Sequence, residues 1–233
     1  MNNAESLLQN SAVWGCFLTL AAFAFGTLMN RLTGKAWCNP LLLSSLSIIV
    51  FLSVLRIPYQ EYRDSASPIS YLLLPATVSL AVPLYEQWET LRKNAVAILA
   101  GILAGVLTSL GSILLITVCF RLTDQQFATL LPKSVTTAIG MDVASELGGL
   151  TSLAGTVIVL TGIVGNLLAG SICRIFRITS PMAKGVAIGT SSHAIGTAKA
   201  LEMGEVEGAM SGLAIAVSGV LTALLAPVVF MIR

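Results

Sequence analysis

The chain has 233 residues, of which 55% are hydrophobic and 10% are charged, and its mean hydropathy is +0.88. A soluble domain usually contains about 25% charged residues, so this composition excludes an ordinary soluble protein. The net charge of +2 is too small for a nucleic-acid-binding surface, so we expect no nucleic-acid partner.

Six stretches without a charged residue are long enough to cross a lipid bilayer. A helix needs about 20 apolar residues to span the hydrocarbon core, and only short charged connectors separate these runs. A β-barrel would instead show segments of about ten residues with alternating apolar and polar positions. The sequence therefore predicts an all-α, polytopic helical membrane protein with spans in the runs 6–30, 36–55, 65–85, 94–120, 147–173 and 208–232.

The first two helices are predicted at 6–30 and 36–57. No Lys or Arg precedes the first run, so it lacks the basic segment of a secretory signal peptide, and we expect a retained helix. Pro40 opens the second helix, because proline is tolerated at a helix start. Arg56 and Pro58 end it.

Three later segments are interrupted, and a clean apolar helix follows each of them. Segment 70–91 contains two prolines, which cannot both lie inside an unbroken helix. Segment 127–149 begins with a Leu-Leu-Pro-Lys sequence, and segment 182–204 is rich in glycine and hydroxyl residues. We expect 70–91 to cross the membrane and 127–149 to re-enter it, because this places the basic connectors on the cytoplasmic side.

The interrupted segments resemble one another. A Leu-Leu-Pro-x-x-Val-x-x-Ala pattern at 73–81 recurs at 130–138, and an Ala-Ile-Gly-x3-Ala-x-Glu pattern at 138–146 recurs at 194–202. The sequence thus predicts a single membrane domain over 1–233 that contains repeat-like units at about 70–120, 127–173 and 182–232. Interrupted helices at corresponding positions of a repeat are typical of a transporter's binding site.

The sequence gives little support for an enzyme or for a metal-binding protein. The chain has a single histidine, His193, and no grouped cysteine or carboxylate ligands. It contains no GxSxG, P-loop or dinucleotide-binding motif. We therefore expect neither an enzyme, nor a metal site, nor a cofactor.

Polar residues concentrate instead in two of the interrupted segments. An ionisable group at membrane depth costs about 2.5–3.5 kcal/mol on insertion scales, so it usually serves a function. A lysine beside several hydroxyl groups offers a small carboxylate one charge partner and several hydrogen-bond donors. The predicted substrate-binding residues are Lys133, Ser134, Thr136, Thr137, Thr190, Ser191, Ser192, His193 and Thr197.

Each of these residues also has a purely structural interpretation. Lys133 could extend its ammonium to the membrane interface as a topology marker. The Ser and Thr hydroxyls could bond the backbone of their own or a neighbouring helix, and His193 could be an interhelical hydrogen-bond partner. Asp142, Glu146 and Glu202 could lie at the aqueous ends of their segments.

The two long motifs, Leu131-Pro-Lys-Ser-Val-Thr-Thr-Ala-Ile-Gly-Met141 and Gly189-Thr-Ser-Ser-His-Ala-Ile-Gly-Thr-Ala198, resemble the LrgB/CidB family, which includes the bacterial YohK proteins. The likeness extends over nearly the whole chain. It implies a multi-pass protein of the bacterial cytoplasmic (inner) membrane, with the fold of a transporter built from inverted repeats and broken helices.

The resemblance implies two alternative functions. Relatives linked to pyruvate movement, and the plastid glycolate/glycerate transporter, imply a transport subunit for small 2-oxo or 2-hydroxy monocarboxylates. The older naming implies a holin- or antiholin-like modulator of murein hydrolase activity and autolysis. Both imply a small membrane partner of the LrgA/CidA type and a homo- or hetero-oligomer. A pore former needs a continuous polar stripe, which the long helices lack, so the transport function is the first expectation.

Overall fold

The computed structural model describes residues 13–33, 40–72, 75, 78–79 and 81–233. The predicted all-α fold is confirmed: the described residues form α-helices joined by short connections, and none of them lies in a strand. The chain divides into two compact units, Met1–Ser79 and Leu80–Arg233.

The N-terminal unit contains a pair of packed apolar helices and two short ones. The helices are α1 (Trp14–Thr33), α2 (Pro40–Leu55), α3 (Tyr59–Ser65) and α4 (Ser67–Tyr71). Gly26 lies against the backbone of Pro40, where a Cβ would come within 2.7 Å of the carbonyl oxygen. As predicted from Pro40 and Arg56, α2 begins at the proline and ends just before the arginine, whose φ of 54° is left-handed.

The C-terminal unit contains the long helices and the breaks that position the site. Its helices are α5 (Ala81–Glu86), α6 (Trp88–Phe120), α7 (Asp124–Leu130), α8 (Thr137–Glu146), α9 (Thr151–Ile175), α10 (Pro181–Met203) and α11 (Glu205–Ile232). Helix starts follow local chemistry: Thr123 and Gln126 form a capping box before α7, and Ser180 caps α10 ahead of Pro181.

Among the described residues, four helices are long and apolar enough to span a membrane, where the sequence predicts six. They are α1, α6, α9 and α11. Run 36–55 yields only the 16-residue helix α2, which is about 24 Å long at 1.5 Å per residue. Run 65–85 is divided between α4 and α5, and much of the stretch between them lies outside the described residues.

Residues 124–150 form a helical hairpin, here called the first hairpin. α7 ends before Pro132, which has no N–H to continue the helix, and α8 begins at Thr137. After α8 the chain returns to α7, because the Leu150 N–H donates to Thr129 Oγ1 at 2.9 Å. Gly140 lies against Pro132, and Gly149 lies against Ala128, so the two helices run antiparallel and the segment 131–136 is the tip of the hairpin.

Helix α10 also folds back on itself, at His193, whose φ of 43° and ψ of −144° are not helical. Lys184 Nζ lies 3.8 Å from Glu207 Oε1, and a Cβ on Gly204 would lie 2.5 Å from Glu207 Oε2. Twenty residues of straight helix would separate Lys184 and Gly204 by about 30 Å. The halves 181–192 and 194–203 therefore form a second hairpin with His193 at its tip.

The two hairpins enter the unit from opposite ends of α11. The first hairpin begins at Asp124, whose Oδ1 pairs with Arg233 at 2.6 Å just after the end of α11. The second hairpin closes against Glu207 in the first turn of α11. Their tips meet near the middle of α6: Ser134 lies against Ser109, and Thr190 lies against Gly105.

Contacts within the two hairpin units repeat at the spacing found in the sequence. Met141 of α8 touches Gly155 of α9, with Sδ 3.2 Å from the position of a Cβ. Thr197 of α10 touches Ser211 of α11 through hydroxyl groups 2.7 Å apart. Each member of the second pair lies 56 residues after its counterpart. Since the hairpins enter from opposite ends, the contacts fit an inverted repeat. The predicted unit 70–120 is described only in part.

Candidate functional site

A cavity of about 970 Å³ lies between α6, α9, the first half of α10 and the tip of the first hairpin. The helices can approach closely there because glycines face each other's side chains. A Cβ on Gly105 of α6 would lie 3.2 Å from Thr190 Cβ, and one on Gly101 would lie 3.4 Å from Val186. This small-xxx-small spacing is a common means of close packing in membranes.

Lys133 and Ser134 form the cationic end of the cavity. Pro132 stops α7 and places both side chains on the hairpin tip. The Lys133 ammonium donates to Ser134 Oγ at 3.1 Å, and Ser109 Oγ of α6 donates to the same oxygen at 2.9 Å. Among the described residues no carboxylate lies within 4 Å of the Lys133 ammonium, so its charge is available to a ligand.

Hydroxyl groups from the second hairpin form the opposing wall. Ser191 Oγ and Ser192 Oγ lie 3.0 Å apart, and Ser191 also donates to Ala187 O at 2.8 Å. Ser192 is admitted by Gly165 of α9, where a Cβ would come 2.5 Å from Ser192 Cβ. Thr190 donates to Val186 O at 2.7 Å, so its hydroxyl is already occupied by its own helix.

His193 is at the turn of the second hairpin but does not line the cavity. It is only 2% exposed, and its Nε2 lies 2.9 Å from Ile158 O of α9, which it reaches as a donor. Gly162 leaves room for the ring, since a Cβ there would be 2.7 Å from His193 Cε1. Asn166 supports the same turn by donating to Ile195 O at 2.8 Å. The structure thus gives His193 an interhelical partner.

The cavity wall contains five of the nine residues predicted as substrate-binding: Lys133, Ser134, Thr190, Ser191 and Ser192. The other four lie elsewhere. Thr136 is the N-cap residue of α8 and Thr137 is its first residue. Thr197 is buried and hydrogen-bonds to His193 O and Ser211 Oγ at 3.0 and 2.7 Å. The fourth residue, His193, contacts Ile158 of α9.

Several cavity residues were missed by sequence reasoning. Most of them lie on the long helices α6 and α9, whose hydroxyl groups look scattered along the chain, and Ser180 is the N-cap residue of α10. On α6, however, Gly101, Gly105, Thr108 and Ser112 recur at helical spacing and share the face that meets the cavity. That row of small and polar residues is the signal that could have identified them. The polar residues missed are Asn94, Thr108, Ser109, Ser112, Thr161 and Ser180.

The cavity suits an anion rather than a cation. Lys133 is the one charged side chain among the described residues that line it, and no Asp or Glu does so. The described part of the chain holds no group of three or more His, Cys, Asp or Glu side chains that could bind a metal ion. The acids Asp142, Glu146 and Glu202 are exposed away from this wall.

Comparison with known proteins identifies the family. The model of the LrgB-like family matches residues 19–232. The chain belongs to the LrgB-like family. Its relatives include the antiholin-like protein LrgB of Bacillus subtilis (strain 168), which is 34% identical over 94% of this chain and 95% of the relative. The holin-like protein CidB of Staphylococcus aureus (strain Mu50 / ATCC 700699) is 35% identical over 92% of this chain and 94% of the relative.

Membership of the LrgB-like family agrees with the four apolar helices that could span a membrane. Since the relatives are bacterial and cover almost the whole chain, this LrgB-like chain is a multi-pass bacterial membrane protein. No solved structure gave a significant match to it.

Proposed function

We propose that this LrgB-like protein is a transport subunit that carries small 2-oxo or 2-hydroxy monocarboxylates, such as pyruvate, glycolate or glycerate. The observation that supports the proposal is the meeting of two hairpin tips at a cavity whose lining, among the described residues, has one lysine and no carboxylate. Lys133 and Ser134 come from one tip, and Ser191 and Ser192 come from the other.

The chemistry of this end of the cavity matches the needs of a small carboxylate. A carboxylate that leaves water must recover a counter-charge and hydrogen-bond donors, or its burial is strongly unfavourable. The Lys133 ammonium offers the charge, since Ser134 Oγ is its neutral neighbour at 3.1 Å. The adjacent serine hydroxyls can rotate to donate to carboxylate, 2-oxo or 2-hydroxy oxygens.

The arrangement of the hairpins supports a carrier. The hairpins enter from opposite ends, and their tips meet near the middle of α6. Each tip would therefore separate the bound anion from one side of the membrane. Movement of one hairpin unit against the other would expose the anion to alternate sides, as inverted repeats do in transporters. We include in the proposal a small LrgA/CidA-type membrane partner, which would supply a scaffold in a hetero-oligomer.

Uptake into proteoliposomes tests the proposal. Labelled pyruvate, glycolate and glycerate are offered to the wild type, with and without an LrgA-type protein, and to Lys133→Met. A hydrogen bond to a charged group contributes about 1.5–3 kcal/mol, so we expect the uptake rate at low substrate to fall about 10- to 150-fold. Lys93→Met is the matched control, because Lys93 is a surface lysine that pairs with Glu89. Equal uptake by wild type and Lys133→Met would refute the proposal.

The names of the relatives favour a second function, a holin- or antiholin-like modulator of murein hydrolase activity and autolysis, over carriage of a named acid. It predicts that the protein changes membrane permeability without a dedicated substrate. Release of an entrapped dye and of unrelated solutes from the same liposomes would support this second function, above all if Lys133→Met releases as much as the wild type. Saturable uptake without dye release would support the carrier.

A further inference from the structure

The cavity continues far beyond the cationic end. Its lining on α6 extends from Asn94 to Ser112, a distance of about 27 Å at 1.5 Å per residue. Its volume of about 970 Å³ equals the liquid volume of about 30 water molecules at roughly 30 Å³ each. A three-carbon acid held at Lys133 would leave most of this space empty.

The remainder of the cavity is apolar. Below the hydroxyl groups its walls consist of aliphatic and small side chains from three helices, and the other polar groups lie at the far end, at Asn94 and Ser180. This part of the cavity, here called the trough, is an open groove lined by the exposed residues Ala97, Gly101, Leu168, Ile172, Ala183 and Ala187. A polar ligand gains nothing from such walls, whereas an alkyl chain does.

We infer that the site binds monocarboxylates with an unbranched alkyl chain of medium length, with the carboxylate at Lys133 and the chain in the trough. The inference rests on the proposed binding of a carboxylate at Lys133. The two ends of the cavity favour different groups. A neutral lipid tail cannot pair with the Lys133 ammonium, and a short acid cannot contact the apolar walls of the trough. An amphipathic anion uses both ends of the same cavity.

Burial of one methylene group contributes about 0.8 kcal/mol, which corresponds to about fourfold in Kd. The trough is open on one side, so we expect Kd to fall by up to about fourfold for each methylene added between butanoate and octanoate. The corresponding alkanols lack the charge, so they should bind weakly at every length.

The test measures binding of labelled butanoate, hexanoate and octanoate to the full chain in nanodiscs, with binding to empty nanodiscs subtracted. We expect Lys133→Met to lose carboxylate binding at every length. Ala187→Phe should flatten the chain-length series, because the ring fills the trough. Ala223→Phe is the matched control, since Ala223 is exposed on α11 and does not line the cavity; its series should keep the wild-type slope.

A flat series in the wild type would overturn the inference. So would a chain-length gain that persists in Lys133→Met, because the trough would then hold lipid chains irrespective of charge. The uptake assay distinguishes failure of the carrier proposal from failure of this inference. A protein that binds octanoate and transports no acid refutes transport alone, whereas pyruvate uptake with a flat binding series refutes only this inference.

Discussion

Ser109 donates a hydrogen bond to Ser134 at 2.9 Å and thereby joins the middle of α6 to the tip of the first hairpin. The same Ser134 oxygen accepts from the Lys133 ammonium at 3.1 Å. Because Ser134 is only 6% exposed, this pair of bonds fixes the direction in which the lysine enters the cavity. The long helix thus positions a cation that is 24 residues away in sequence.

Removal of the Ser109 hydroxyl should therefore weaken anion binding without removing the charge. A neutral hydrogen bond contributes about 0.5–1.5 kcal/mol, so we expect Ser109→Ala to raise the Kd or KM for a carboxylate about 2- to 13-fold. The measurement is uptake over a range of substrate concentrations. Ser171→Ala, on an exposed position of α9 outside the cavity, is the control and should match the wild type. An unchanged KM in Ser109→Ala would show that Ser134 does not need its partner.

A methyl group at Gly165 should displace the tip of the second hairpin. An added Cβ would lie 2.5 Å from Ser192 Cβ and closer still to Ser192 Oγ. Overpacking of this kind costs about 1–3 kcal/mol, so Gly165→Ala should unfold at a lower temperature and lose uptake. The matched control is Gly170→Ala in the same helix, where nothing lies within 4 Å of the added atom. Thermal unfolding in detergent should show the control at or above the wild type, because alanine favours a helix by about 1 kcal/mol over glycine.

The first hairpin could be predicted from the sequence because its break has a local cause. Pro132 cannot continue α7, and a lysine with several hydroxyl groups follows it. The second break has no proline. Gly189 and Gly196 indicate that backbones approach closely, but the turn at His193 depends on its contact with Ile158, 35 residues away. Such a long-range contact leaves no pattern in a single sequence.

Four of the nine predicted residues do not line the cavity, because residues that are close in sequence lie on different faces of the folded hairpins. Ser192 precedes the reversal at His193 and lines the cavity, whereas Thr197 follows it and contacts Ser211 of α11. Conversely, Ser109 is far from either motif and still reaches Ser134. The polar motifs contain five of the residues that line the cavity, and the packing of α6 and α9 determines which other side chains complete its wall.

The ion pair between Lys184 and Glu207 should stabilise the base of the second hairpin. Glu207 is only 7% exposed, and the pair spans 3.8 Å. Removing one partner of a buried pair costs about 3–5 kcal/mol because the other charge remains unpaired, and the 24% exposure of the Lys184 side chain favours the lower end of that range. We expect Lys184→Met to be less stable than the double variant Lys184→Met/Glu207→Gln, in which no charge is stranded. A double variant that loses the sum of the two single effects would show that the two side chains are not coupled.

The hairpin at His193 makes a prediction about the two sides of the membrane. Lys184 lies in the first turn of α10 and Glu205 follows the end of that helix, so a straight crossing helix would place them on opposite sides. Because the helix reverses, both ends lie at Glu207, whereas Asp124 lies at the other end of α11 beside Arg233. In a variant without native cysteines, a membrane-impermeant maleimide should label Lys184→Cys and Glu205→Cys from the same side and Asp124→Cys from the other. Labelling of positions 184 and 205 from opposite sides would contradict the hairpin, and with it the meeting of two tips on which the anion site depends.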